Sequence, residues 1–157
     1  MKTVIKSLAI GAALFAAPLT AVADGHSDNL KYVLVSHAPD SDSWWNTIKN
    51  GIALAGDQMG VEVEYRNPPT GDLGDMARII EQAAASGPNG IITTLADYDV
   101  LKGPIMDAVA SGVDVIIMNS GTPDQAREVG ALMYVGQPEY DAGLAAGLRA
   151  KGDGVGS

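Results

Sequence analysis

Five short apolar runs recur along this chain, each followed by a stretch with helical periodicity. "YVLVS" (32–36), "VEVEY" (61–65), "GIITTL" (90–95), "VDVIIM" (113–118) and "LMYVG" (132–136) are rich in β-branched residues and bounded by Gly, Pro, Asn or Asp. Such runs read as strands. Between the first two, Trp45, Ile48, Ile52, Ala55 and Met59 recur at helical spacing, and Gly60 supplies the stop. A second helix is expected from about Asp72 to Ser86, with Met76, Ile80, Ala83 and Ala84 facing inward. A third carries Leu101, Ile105, Ala108 and Val109, and Pro123–Val129 and Glu139–Ala150 supply the fourth and fifth. Strand–helix units with near-continuous apolar strands predict a parallel sheet covered on both faces. The right-handed crossover rule makes this a doubly wound α/β sheet of about five strands, Rossmann-like. Closure into an eight-stranded barrel would need three further units. The small-residue stretch "GLAAG" (143–147) is expected to pack closely against the sheet, and "KGDGVGS" reads as a linker or a frayed end.

The first 23 residues have the layout of a secretory leader: Lys2 and Lys6, an apolar stretch from Leu8 to Ala17, and "AVA" at 21–23. The apolar stretch is too short to span a membrane. Cleavage after Ala23 is expected to leave residues 24–157 as one exported domain in the periplasm. Without the two leader lysines, eight basic residues face 19 acidic ones, a formal charge of −11. That balance argues against nucleic acid and anionic lipid, and suits a neutral or cationic ligand. The chain has no cysteine, so no disulfide supports it in an oxidising compartment.

In an open parallel sheet, ligands bind outside the carboxyl ends of the strands. That rim is expected to carry "HAPDSDSWW", "RNPPTGD", "ADYD" with Asp97, "NSGTPD" and "GQPEYD". Asp72, Asp99 and Asp124 read as helix caps or first-turn acids. A cap does not explain two adjacent indoles, so Asp42, Trp44 and Trp45 carry more weight. Neither a dinucleotide nor an NTP fingerprint is present, the two histidines lack metal-ligand spacing, and no cofactor or catalytic group is expected. What remains suits a neutral polyol, whose C–H face stacks on indole while Asp and Asn bind its hydroxyls.

"YVLVSHAPDSDSWWNTIKNGIALAGDQMGVEVEY", "GIITTLADYDVLKGPIMDAVASGVDVIIMNSG" and "YVGQPEYDAG" together resemble the first lobe of periplasmic sugar-binding proteins of ABC transporters, the ribose-binding-like class, over residues 31–151. The resemblance implies a non-enzymatic receptor for a monosaccharide or sugar alcohol, with a permease in the inner membrane as its partner. It implies ligand contacts from Trp44 and Trp45, from Asp42 beside them, from Asn119 after the fourth strand and from Gln137 after the fifth. Asn119 and Gln137 stand where the class often has Asp, and Ser120 where Arg is common, which argues against ribose itself. Trp45 is in register with the core stripe of its helix and Trp44 lies one step off it; at least one ring is expected to stack on ligand. The class has a second lobe of similar size, so residues 24–157 are expected to be a first lobe alone, a fragment. The alternative is a flavodoxin-like or hydrolase-like exported enzyme on the same sheet. A sugar-responsive transcription regulator, a third possibility, would carry a DNA-binding helix pair in place of a leader.

Overall fold

A computed structural model describes residues 30–155. The expected leader, residues 1–23, lies outside the described residues. Five strands, β1 (Lys31–Val35), β2 (Glu62–Arg66), β3 (Gly90–Thr93), β4 (Asp114–Met118) and β5 (Met133–Val135), alternate with α1 (Trp45–Met59), α2 (Leu73–Ala85), α3 (Tyr98–Ala110), α4 (Pro123–Glu128) and α5 (Glu139–Gly152). All four strand pairs are parallel, in the order β2-β1-β3-β4-β5. The winding therefore reverses between β1 and β3, and the crevice above their carboxyl ends is the switch point where such sheets bind ligands.

The two faces of the sheet are covered unequally. Val33, Val35, Ile91, Val115 and Ile117 point to one side and form the main core with Met76 and Ile80 of α2, Leu101 and Ile105 of α3, and Ala126 of α4. On the other side Leu34, Ala38 and Trp45 form a smaller cluster, with Ile48, Ile52, Tyr65, Ile92 and Met118 packed around it. Only α1 covers this second face among the described residues. Leu132, Met133 and Val135 stay exposed there. A groove of about 410 Å³ opens beside α1, at the amino ends of the strands, lined by Tyr32, Ile52, Val63, Ile92 and Ile116 among others. It is apolar and lies at the opposite edge from the switch point.

Two expectations about helix packing are corrected. The inward stripe of α1 runs Trp45, Ile48, Ile52 and Gly56, and Ala55 and Met59 are exposed, Met59 by 69%. At Gly56 the helix backbone lies close against β2, where a Cβ would be 3.0 Å from the Val61 carbonyl oxygen and 3.2 Å from a Val63 methyl, so Ala55 and Met59 are left lining the open groove beside it. The "GLAAG" stretch does not pack on the sheet: α5 has no buried residue, and nothing lies within 4 Å of a Cβ built at Gly143 or Gly147. Among the described residues no strand lies beyond β5 for this helix to pack upon.

The two α1 glycines make a clean comparison. Gly51 has open space around it, so Gly51→Ala is expected to stabilise the fold by about 0.5–1 kcal/mol through helix propensity. Gly56→Ala gains the same propensity but pushes the helix off β2, and is expected to be net destabilising. Thermal or urea melts of the two variants check this; equal gains at both sites would show that the contact is soft.

Candidate functional site

The rim at the switch point is built by loops that bond to one another before any ligand is considered. Beyond the last β1 residue, Ser36 N–H donates to the Arg66 carbonyl at 3.1 Å, and Thr94 N–H donates to the Val35 carbonyl at 3.3 Å. Asn67, after β2, ties the β1–α1 loop down: its Nδ2 donates to the Ala38 carbonyl and to Asp40 Oδ1, both at 2.9 Å. Ser36 Oγ and Tyr65 Oη share a 2.6 Å hydrogen bond. The loop is thus held by partners on two neighbouring strands, and it delivers two indoles to the start of α1.

Those indoles have different fates. Trp45 is 3% exposed, packed edge-on to His37 and near Tyr65. It is a core residue, as its register with Ile48 and Ile52 implied. Trp44, at the helix N-cap, is 55% exposed and stands edge-on against Trp45, ring centroids 5.3 Å apart. Asp42 Oδ1 accepts from the Trp44 backbone N–H at 3.1 Å, which ties down the chain at the helix start and leaves the second carboxylate oxygen without a partner among the described residues.

Across the crevice, Asn119 is the one non-glycine with positive φ, 62°, among the described residues. Ser120 N–H reaches back to the Met118 carbonyl at 2.7 Å, closing a three-residue turn around it. Asn tolerates this region better than most residues, yet the strain is on the order of 1 kcal/mol. The turn is pinned from below: Tyr134 Oη donates to the Asn119 carbonyl at 3.0 Å, and Asn119 N–H donates to the Val135 carbonyl at 2.9 Å. A Cβ at Gly136 would overlap the Tyr134 hydroxyl. Asn119 Oδ1 accepts from Ser120 Oγ at 2.9 Å, while its Nδ2 has no partner among the described residues. Gln137 is exposed just beyond β5.

Asp97 is the N-cap of α3, its Oδ1 accepting from Val100 N–H at 3.1 Å. Asp72 caps α2, whereas Asp99 and Asp124 are first-turn acids paired with Lys102 and Arg127. Asp97 stands on the rim, but half of its carboxylate is spent on its own helix. At the carboxyl end of the sheet, Asp42 and Asn119 thus keep polar atoms without a partner among the described residues, Trp44 keeps an exposed ring, and Trp45 is buried against Trp44. Sequence reasoning passed over His37, Asn67, Thr94 and Tyr134. Thr94 directly follows the last residue of β3 and His37 stands two residues after β1, and that placement was the available signal. Burial lowers the pKa of His37, opposed by the charge of Asp42.

Comparison with known proteins gives a consistent picture. A family model described as a periplasmic binding protein domain matches residues 32–152. A carbohydrate transporter from Acidothermus cellulolyticus 11B, solved in complex with myo-inositol, is 37% identical, covering 80% of this chain and 43% of its own, with a TM-score of 0.74. A glucose-galactose binding protein and an arabinose binding protein, both from Geobacillus stearothermophilus, are 27% and 29% identical, with TM-scores of 0.70 and 0.65. They are matched over 43% and 41% of their lengths, across 80% and 78% of this chain. The chain thus spans less than half the length of these proteins.

Truncation separates the two indoles. Trp45→Ala is expected to cost about 3–5 kcal/mol of stability, and Trp44→Ala less than about 0.5 kcal/mol, as read by urea melts. The His37 shift predicts a pH dependence. Its unfolded pKa near 6.5 exceeds its folded one, so the unfolded chain takes up the proton first. Stability from this group is complete above about pH 6.5 and falls on acidification below it. Melts from pH 8 to pH 5 should show that loss, and His37→Phe should flatten it.

Proposed function

Because the chain belongs to the periplasmic binding protein domain family, we propose that its switch-point rim is one wall of a binding site for a neutral monosaccharide, sugar alcohol or cyclitol. The observation that carries this reading is the exposed Trp44 ring at the carboxyl end of the sheet, where Asp42 accepts from the Trp44 backbone N–H and the Asn119 amide nitrogen has no partner among the described residues. An indole face accepts the C–H side of a pyranose or cyclitol. Carboxylate and amide groups then bind its hydroxyls in pairs, with the carboxylate bonds charge-assisted. The backbone strain held at Asn119 fits a side chain fixed for contact rather than for packing. Gln137 and the free oxygen of Asp97 complete the rim. Trp45 contributes through Trp44, as the surface on which that ring leans.

The similarity to a protein solved with myo-inositol and to glucose-, galactose- and arabinose-binding proteins supports a compact polyol over a phosphorylated or anionic ligand. The excess of acidic residues supports it too. Export through the leader-like residues 1–23 into the periplasm, and delivery of the ligand to an ABC transporter permease in the inner membrane, belong to the same reading. The binding protein would hold its ligand without chemically altering it.

The described residues supply contacts to one side of the ligand. Residues 24–157 alone are therefore expected to bind such polyols weakly, with a dissociation constant on the order of a millimolar, and more tightly only where a second surface encloses the other side. Calorimetric titration with myo-inositol, glucose, galactose and arabinose is the test, and no response to any of them would sink the reading. Asn119→Gly separates function from folding. It relieves the positive φ, so stability should hold or rise, while binding should weaken by about 1–3 kcal/mol.

A further inference from the structure

His37 and Thr94 meet where β1 and β3 end, at the point where the winding of the sheet reverses. Thr94 is fully buried, so its hydroxyl proton needs an acceptor inside the protein. Two groups reach Thr94 Oγ1, and both belong to His37: the backbone N–H at 3.1 Å and Nδ1 at 3.0 Å. The amide nitrogen can only donate. The hydroxyl proton therefore goes to Nδ1, and the imidazole carries its own proton on Nε2. The opposite tautomer would leave the buried hydroxyl proton with no acceptor, a costly arrangement. Nε2 itself has no hydrogen-bond partner among the described residues. It is not sealed from solvent either, because no buried side-chain nitrogen or oxygen there lacks a partner. The ring packs edge-on against Trp45, 5.6 Å between centroids at 86°, and this limits its rotation.

We infer that His37 is a further ligand-contacting residue: Thr94 fixes its neutral ring so that Nε2–H is presented to the crevice as a donor to a ligand hydroxyl or ring oxygen. The inference rests on the polyol-binding reading above and adds a specificity element to it. Asp42 offers an acceptor and His37 a donor of fixed polarity, so the site distinguishes ligand oxygens that must donate from those that must accept. Thr94 is a positioning residue, acting only through the ring.

Nitrogen-15 labelling of histidine in the full chain tests this directly, because the chain has two histidines and His37→Phe assigns them. In the free protein, long-range proton–nitrogen spectra should show His37 protonated at Nε2 and unprotonated at Nδ1, and Thr94→Val should relax that preference. Added myo-inositol should shift the Nε2 resonance. His37→Phe and His37→Asn should weaken myo-inositol binding about tenfold. His37→Gln, whose amide nitrogen falls near the Nε2 position, should retain most of it. A proton on Nδ1 in the free protein overturns the inference. So does myo-inositol binding that perturbs Trp44 while leaving Nε2 and the His37→Phe affinity unchanged. If myo-inositol perturbs neither ring, the polyol reading has failed and the ligand role of His37 falls with it.

Discussion

The parallel hydrogen-bond register that holds β1 between β2 and β3 is the constraint on which the rest depends. Val35 lies opposite both Arg66 and Thr93, so three loops leave the sheet at one level and their first residues become neighbours. Thr93 Oγ1 donates to the Val35 carbonyl at 3.0 Å, sealing the last backbone acceptor of the ladder. Just beyond it, Ser36 still bonds to β2 through the Arg66 carbonyl and the Tyr65 hydroxyl, and the side chain of Thr94 meets His37. A slip of one residue in β1 would send Leu34 to the main core and Val33 and Val35 to the opposite face. The same slip would separate Ser36 from Tyr65 and His37 from Thr94. Core and rim are therefore specified by the same pairing.

Above that level the site is layered. Trp45 fills the space between the start of α1 and the sheet, and its burial anchors the loop more firmly than the loop's own turn bonds. An aromatic of this size removes much apolar surface from water, which offsets the entropy of ordering a loop rich in Asp and Ser. Trp44 then projects from a fixed base. The adjacent indoles are thus divided between surface and core, because the helix turns Trp45 into the core one residue after leaving Trp44 outside.

Electrostatics is arranged to leave this rim uncluttered. The exposed strand β2 carries Glu62, Glu64 and Arg66 along one face. Lys31 bridges both glutamates and Arg66 clasps Glu64. Hydrogen bonds from Arg66, then from Lys31, hold the Glu64 carboxyl down to about 2. Such a ladder also discourages another strand from pairing at that edge. First-turn acids on α2, α3 and α4 pair with Arg78, Lys102 and Arg127 on their own helices. The acidic excess is thus partly neutralised by cations on the same or a neighbouring strand and on the same helix.

The sequence alone determined the elements and their class. β-branched runs punctuated by Gly, Pro and Asn fixed five strands, and period-3.6 stripes such as Met76, Ile80 and Ala83 fixed the helices between them, because both signals are local. The same spacing placed Asp42, Trp44, Asn119 and Gln137 on one rim. Tertiary structure decided what no local signal carries. The choice between Trp44 and Trp45 depended on how far α1 rides over Leu34 and Ile92. The exposure of Met59 depended on the close seat of α1 on β2 at Gly56, which leaves the groove beside the helix open. α5 stays unburied although its composition suggested close packing, because a small-residue stretch records only that contact is permitted, not that a surface is there to meet it. His37 and Thr94, far apart in the chain, acquire a shared proton only when β1 and β3 lie side by side. A hydrogen bond between distant residues is a property of register, and register is settled by the whole sheet.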